Sequence, residues 1–327
     1  MKELDAIDHK ILYYMFLNSR QSTNTICRKV GISKSVFHYR LNRLESRQII
    51  RGYPTVIDIF KLGYSIYRFN ILMQFASPEK EAEIAQYFTD YDNSWNTSST
   101  KGRYDLMSAI LVKDTNAFYQ FYEETLKKYR YHFKELSFSQ LYETYGYRHS
   151  ILLDAKAQQD HKAYELRYTG ETTNLDNLDY KILCLLSNNA RIPSIDIAKK
   201  LDVSSSTVIN HIKKLTDAGI IVKYSANIDI QKLGFKTFIV NLSLTTYENK
   251  NKIIRYLSNN PFIWEIRRAI GSYDIELIIY SANFEHFHRM MEELRFAFPN
   301  DIASYHYLHV TKIHNINCLP QSLMDPA

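Results

Sequence analysis

Leu4-Asp5-Ala6-Ile7-Asp8-His9-Lys10-Ile11-Leu12 returns 171 residues later as Leu175-Asp176-Asn177-Leu178-Asp179-Tyr180-Lys181-Ile182-Leu183. The match runs without a gap over residues 4–64 against 175–235, with 22 identities in 61 pairs. A long ungapped self-match marks an internal duplication, so every module of the chain is expected twice. Each copy reads as a small basic helical module followed by an α+β module. The expected divisions are 1–64 and 65–147 for the first copy, 148–174 for a linker, and 175–235 and 236–327 for the second copy.

In the second copy, Leu175, Leu178, Ile182, Leu183, Leu185 and Leu186 recur at helical spacing, with Asn174 as the expected cap. Asn188-Asn189-Ala190-Arg191 breaks that helix, and Pro193 suits the start of the next. Ile195, Ile197, Ala198 and Leu201 line one face of the second helix, and Asp202-Val203 forms a tight turn. Ser204 can cap a third helix over about 205–217 that stops near Gly219. Val208, Ile212 and Leu215 make its core stripe. At 100° per residue the opposite face carries Ser206, Asn210 and Lys213, flanked by Ser205, Thr207, Ile209 and Lys214. Residues 220–226 then read as a strand that forms a wing.

The first copy keeps the frame. Ser33 is its cap, and Phe37, Leu41 and Leu44 are its core stripe. Ser35, Tyr39 and Asn42 face outward, flanked by Lys34, His38 and Arg43. Small hydroxyls at a helix start let the backbone approach DNA, while amide and ammonium groups reach base edges and phosphates. Residues 1–64 hold eleven Lys and Arg against five Asp and Glu, and residues 175–235 hold eight against six. The net charge of +6 is therefore concentrated in the helical modules, and mainly in the first, as a phosphate-binding surface requires. Solvated helix faces would also carry such charge.

The α+β modules read strand, helix, strand, strand, helix, strand, the ferredoxin-like order. In the first copy the expected segments are 66–75, 78–91, 94–99, 106–112, 115–129 and 134–142. In the second, strands fall at 238–244, 262–270, 275–280 and 302–313, with helices around Ile253, Ile254 and Leu257 and over 284–298. Trp95 and Gly102 match Trp264 and Gly271 at a shift of 169. The linker is polar, with a helix expected around 154–166.

Leu-Asp-x-x-Asp-x-x-Ile-Leu, the capped third helix, the Gly-Ile-Ile of residues 219–221 and the Asp-Ile-x-Lys-Leu-Gly at 58–63 and 229–234 resemble the Lrp/AsnC family, the leucine-responsive or feast/famine transcription regulators of bacteria and archaea. The resemblance covers nearly the whole chain twice over. It implies a tandem of winged helix-turn-helix domains and ferredoxin-like (RAM-type) domains. Double-stranded DNA is the implied partner, contacted by Lys34, Ser35, His38, Tyr39, Asn42 and Arg43 in the first copy and by Ser205, Ser206, Thr207, Asn210, Lys213 and Lys214 in the second. It further implies a small effector, often an amino acid, near the Gly-x-x-Asp turns of Gly102/Asp105 and Gly271/Asp274. A Gly lets backbone N–H groups converge on a carboxylate, and an Asp accepts from an ammonium. The same residues also suit a plain hairpin turn.

Ordinary members dimerise, so the two halves are expected to form a pseudo-dimer within the chain, with further homo-oligomers. The alternatives are an architectural DNA-binding protein or an enzyme like the siroheme decarboxylases, which resemble this family as two fused halves. Those need His, Tyr and Arg around a tetrapyrrole carboxylate. This chain has His286, His288, His306 and His309 but no His-Asn-Tyr run. Cys27, Cys184 and Cys318 are far apart and lack metal-ligand spacing, so neither a disulfide framework nor a metal is expected. No phosphate-cradling glycine loop or nucleophile–base pattern occurs, and no cofactor or catalytic residue is expected. No apolar run approaches the ~18 residues of a membrane span, and the acidic start is unlike a signal peptide. A cytoplasmic, nucleoid-associated protein is the expectation. The tyrosines clustered over residues 119–147 suit aromatic packing, with a ligand cage as the other option.

Overall fold

The computed structural model describes residues 4–147, 149–153, 163–167 and 169–320. The first copy runs α1 (Ala6–Leu17), α2 (Thr23–Val30), α3 (Lys34–Ser46), β1 (Ile50–Gly52), β2 (Thr55–Ile57), β3 (Ser65–Met73), α4 (Pro78–Asp90), β4 (Ser94–Gly102), β5 (Leu106–Val112), α5 (Thr115–Tyr129) and β6 (Phe133–Tyr147). A strand, β7 (Ala163–Arg167), follows. The second copy has α6 (Asn177–Asn188), α7 (Ser194–Leu201), α8 (Ser205–Asp217), β8 (Ile221–Tyr224) and β9 (Asn227–Ile228). It ends with β10 (Lys236–Leu244), α9 (Lys250–Ser258), β11 (Ile263–Gly271), β12 (Ile275–Ser281), α10 (Phe284–Ala297) and β13 (Ile302–Ile316). Both α+β modules thus have the expected order.

Two local expectations are corrected. The cap of α6 is Asp176, not Asn174, because Asp176 and Asp179 exchange hydrogen bonds with each other's backbone N–H in a capping box. Residues 163–167 form a strand where a helix was expected; the rest of that expected helix, 154–162, lies outside the described residues.

The two helical modules make one compact unit and the two α+β modules another. Within the helical unit the wings are exchanged. β1 pairs with β9, and β2 pairs with β8, so each two-stranded sheet takes one strand from each copy. The exchange is pseudo-symmetric down to single bonds: Ser19 N–H donates to the Tyr224 carbonyl, and Ala190 N–H to the Tyr53 carbonyl. The wing strands are only two to four residues long, so their pairing adds little by itself and the seam needs further contacts. Arg20 fixes the same seam by donating to the carbonyls of Ala190 at 2.6 Å and Ile192 at 2.7 Å.

The α+β unit is a closed barrel. Eight of the nine strands, in the hydrogen-bonded order β11-β12-β10-β13-β4-β5-β3-β6, close back on β11 with each of these pairings antiparallel, and β7 pairs with β6 in addition. The copies meet at two seams, β13–β4 and β6–β11. Alternation along each strand gives two cores. Phe69 and Ile71 face outward to α4 and α5, where Ile84, Phe88, Phe121 and Tyr129 bury them. Leu72, Met107, Ile239, Ile278, Leu308 and Val310 pack together on the opposite face, in the lumen. Of the clustered tyrosines, Tyr129 and Tyr147 are buried and Tyr119 and Tyr131 are exposed.

The lumen also holds charge. Glu276, fully buried, accepts from Arg68 of the other copy at 3.0 Å, from Arg267 at 2.7 Å and from the Tyr273 hydroxyl at 2.8 Å. Arg267 also pairs with Glu265, and the Trp95 ring lies under both guanidinium groups. Burial raises the pKa of a lone carboxyl, but the charges of Arg68 and Arg267 win and hold Glu276 below its ordinary value. The network is not symmetric. The duplicate of Arg68 is Ile239, and that of Glu276 is Met107.

Glu276→Met should therefore strand Arg68 in the lumen, at a cost of about 3–5 kcal/mol. Adding Arg68→Ile, which copies its duplicate, should recover most of that loss. The urea midpoints of the wild type, both single variants and the double variant decide it. A double variant no more stable than Glu276→Met would show that the pair is not coupled.

Candidate nucleic-acid interface

The third helices are set by their caps. Ser33 accepts from Val36 N–H at 3.3 Å, and Ser204 accepts from Thr207 N–H at 3.1 Å. The Ser204 hydroxyl also lies 2.7 Å from that of Ser206 and 2.8 Å from that of Thr207, so the start of α8 carries a hydroxyl cluster. Phe37, Leu41 and Leu44 are buried under α3, and Val208 and Leu215 under α8, with Ile212 half-buried.

This phase leaves Lys34, Ser35, His38, Tyr39 and Asn42 exposed on α3, and Ser206, Asn210 and Lys213 exposed on α8. Ser205 and Thr207 are half-buried. Val36 and Ile209 also stand exposed on these faces. Val36 was not singled out from sequence, because an apolar residue next to a core stripe reads as its edge.

Arg43 and Lys214 have a different local role. Arg43 donates to Asp8, and Arg40 reaches Asp8 at 2.9 Å and Asp5 at 2.7 Å. In the second copy Lys214 lies 2.5 Å from Asp179, and His211 Nδ1 donates to the same carboxylate at 2.7 Å. Asp8 and Asp179 are fully buried. The repeated Asp-x-x-Asp thus does two jobs: it caps the first helix and pins the third helix to it. Arg51 pairs with Asp229, so Arg40, Arg43 and Arg51 are all compensated within the unit. The excess charge of the first copy is correspondingly less available to phosphates. Asp176, Asp179 and His211 come close enough to hold a metal ion, but Lys214 already supplies the countercharge there.

In the α+β unit the two Gly-x-x-Asp turns are equivalent. Asp105 accepts from Met73 N–H at 3.0 Å, and Asp274 from Leu244 N–H at 2.7 Å and from the Tyr247 hydroxyl. Each carboxylate therefore ties its turn to the end of the module's first strand. Gly102 and Gly271 have φ of +135° and +127° and sit at the two seams. A Cβ on Gly102 would overlap the Tyr307 carbonyl oxygen, and one on Gly271 would lie 2.9 Å from that of Phe138. Close strand approach requires glycine at both places.

The four histidines do not share one environment. His286 Nδ1 lies 2.7 Å from the Ser281 hydroxyl, His309 packs among Phe238 and Phe284, and His306 Nε2 lies 3.1 Å from Arg103. Burial pushes all three below the ordinary histidine value, which keeps them neutral at neutral pH. The cysteines are free thiols. No helix among the described residues is long and apolar enough to cross a membrane.

The winged helix-turn-helix DNA-binding family model matches residues 4–51 and again 175–222. The chain is 31% identical to the transcriptional regulator Ptr1 of Methanocaldococcus jannaschii over 129 residues, 38% of this chain and 85% of that protein. It is 33% identical to LrpB of Bacillus subtilis over 110 residues, 33% of this chain and 73% of that protein. The two-module plan and these relatives define a tandem regulator fold. The chain belongs to the Lrp/AsnC family. Its fold is similar along nearly its whole length to that of the siroheme decarboxylase NirDL, with a TM-score of 0.65 at 13% identity, covering 98% of this chain and 96% of that one.

The pinning residues give a pH signature. The hydrogen bond from Arg40 holds the Asp5 carboxyl down to about 2, below its ordinary 3.8. A lowered folded-state pKa adds stability that is complete above the unfolded value and is lost as pH falls toward the folded one. Asn caps helices as well as Asp does, so Asp5→Asn removes the charge and keeps the cap. The wild type should melt above Asp5→Asn at pH 5, and the gap should close between about pH 3.8 and 2. A gap that persists at pH 2 would assign the effect to packing instead.

Proposed function

We propose that the chain is a sequence-specific, DNA-binding transcriptional regulator of the Lrp/AsnC type, cytoplasmic and non-enzymatic, that contacts double-stranded DNA through α3 and α8. The observation that carries this reading is the pair of capped third helices, each pinned by buried carboxylates and each with an uncompensated polar outer face. Lys34 and Lys213 form no ion pair among the described residues. The two faces differ in chemistry. The first offers Lys34, His38, Tyr39 and Asn42; the second offers Ser206, Ile209, Asn210 and Lys213. Two unlike heads suit an operator without palindromic symmetry, since half-sites mirror the symmetry of the protein. The two copies act as an intramolecular pseudo-dimer, and further homo-oligomers extend the contact. A small effector, an amino acid or a relative of one, modulates DNA binding from the barrel near the Gly-x-x-Asp turns.

A second reading draws on the full-length likeness to NirDL, and makes the chain a tetrapyrrole-binding enzyme. Titrating the protein with siroheme and following the absorbance separates the two: a shifted, saturable spectrum would favour the enzyme.

DNA binding should weaken steeply with salt, with a log–log slope of about −0.9 per phosphate contact. Lys34→Ala and Lys213→Ala should each lower that slope by about one. Asn210→Ala should relax sequence preference, at a cost of about 1–3 kcal/mol if its amide reads a base edge. Lys214→Ala should instead lower the melting temperature, since that ammonium serves Asp179. Titration of labelled promoter and random DNA over a salt series measures the first three variants, and thermal melting of the free protein measures the fourth. A flat salt response in the wild type would remove the proposal.

A further inference from the structure

A groove of about 440 Å³ opens between α4 and α5 of the first copy, within the roughly 300–1,000 Å³ of small-molecule sites. Glu83, Gln86, Tyr87 and Asp90 share one side of α4 and line it, and Glu124 and Lys128 line it from α5. The helices run antiparallel. At one end the Tyr129 hydroxyl donates to Glu83 at 3.1 Å. In the middle the hydroxyls of Tyr87 and Thr125 lie 3.2 Å apart, and at the other end the Tyr91 ring meets Phe121 at 4.2 Å. The floor is aromatic. Tyr129, Tyr87, Phe121 and Tyr91 follow one another with ring centroids 5.2, 5.7 and 4.2 Å apart. Phe121 and Tyr129 are buried, whereas Tyr87 and Tyr91 are half-buried. Tyr129 is the member of the sequence-clustered tyrosines that lines this groove; Tyr87 and Tyr91 come from α4 and its C-terminal cap.

Charge and shape define the guest. One cation already lies on this floor. Lys128 Nζ sits 5.0 Å from the Tyr87 centroid and 5.1 Å from that of Tyr129, the geometry of an ammonium over ring faces. It serves the Glu83 end, where Lys80 adds a second positive charge. At the other end Asp90 and Glu124 are exposed and form no ion pair among the described residues. Two uncompensated carboxylates beside aromatic rings attract a cation. A guest with a carboxylate of its own would be repelled, and a metal ion, which takes oxygen ligands, would leave the rings unused. Glu83 and Asp90 are seven residues apart, about 10 Å along α4. A guest that spans them is elongated, with its charges spread along a chain whose methylenes cover the rings.

The second copy has no such groove chemistry. At the duplicate positions, 169 residues on, Lys252 and Arg255 replace Glu83 and Gln86, Asn259 replaces Asp90, and Met290 replaces the Phe121 ring. The local charge is reversed, so the groove occurs once per chain.

We propose that the α4–α5 groove of the first copy binds one linear aliphatic polyamine, with ammonium groups held by Asp90 and Glu124 and the chain laid over Tyr91, Phe121 and Tyr87. The site lies outside the barrel and does not depend on the DNA-binding reading.

The test is isothermal titration of the full chain, without DNA because polyamines also bind phosphates, and at low salt because exposed charges are screened. The titrants are spermidine, magnesium, L-glutamate and a tetralysine peptide. Spermidine should bind at one site per chain, more tightly than magnesium, and glutamate should not bind. Asp90→Asn and Glu124→Gln should each weaken spermidine about tenfold and leave the melting temperature unchanged, since neither carboxylate holds an ion pair. Tyr91→Leu should weaken it by a similar factor while Tyr91→Phe keeps it, which separates the ring face from the hydroxyl. Lys128→Ala should tighten binding several-fold by removing the competing ammonium, and Glu293→Gln, the duplicate of Glu124→Gln, should change nothing. Absence of spermidine binding, equal affinity for magnesium, or unchanged affinity in the folded Asp90→Asn and Glu124→Gln variants would overturn the site. Tetralysine binding where spermidine fails would overturn it too, and assign the groove to a basic protein segment.

Discussion

A four-stranded ferredoxin-like sheet on its own leaves two edge strands with unpaired N–H and C=O groups. Here each edge of one copy is closed by an edge of the other, along β4–β13 and β6–β11. Closure pairs all four of these edge strands, which no covering loop would do as fully. Several otherwise separate features follow from it. Gly102 and Gly271 sit at the seams because the facing carbonyls leave no room for a Cβ. The inner face of each sheet becomes a lumen that is shared by both copies. The helices stay outside, where they bury the opposite face of each strand.

The helical unit solves a related problem differently. Its wing strands are two to four residues long, and each pairs with a strand of the other copy. Neither helical module has a complete wing alone. Both units are therefore built by pairing between the copies, and the 171-residue shift is preserved in the exchanged hydrogen bonds themselves. Arg20 and its duplicate Arg191 each lie over a tyrosine ring of the other copy, Tyr224 and Tyr53, and Arg20 adds hydrogen bonds to two carbonyls there.

Much of this was legible in the sequence, and the rest was not, for identifiable reasons. Local signals worked: the Ser33 and Ser204 caps, the α8 bounds, and strands β5 and β12 follow from propensity and periodicity over a few residues. Non-local pairing did not follow, because an alternating strand shows which face is apolar but not which strand lies beside it. The exchanged wings and the barrel seams are both of this kind. The pinning of α3 and α8 had a readable trace. Positions 40 and 43 hold Arg and their duplicates hold His211 and Lys214, always opposite a repeated Asp-x-x-Asp. A basic side chain kept at both duplicates across from a kept acid is a better sign of an internal ion pair than of a phosphate contact. Arg68 and Glu276 left no such trace, since neither has a charged duplicate.

That last difference shows what fusion into one chain permits. In a symmetric dimer every residue at the barrel axis appears twice. An arginine at the position of Arg68 would then need a glutamate at the position of Glu276 in both copies, placing two such pairs in one lumen. The fused chain carries the base in one copy and the acid in the other, and fills the mirrored places with Ile239 and Met107. One half of the lumen stays apolar and contributes packing. The other holds a single compensated network that neither copy could form with its own duplicate. The same freedom extends to Arg103, which bonds Glu135 and His306, while the duplicates of these three residues are Ser272, Ser304 and Ser137. It extends also to α3 and α8, whose buried stripes remain alike while their outward residues differ. Some of the divergence between the copies thus lies where symmetry would have forced a residue to serve two places at once, and the caps, pins and seam glycines that recur at both duplicates are parts that both copies still need.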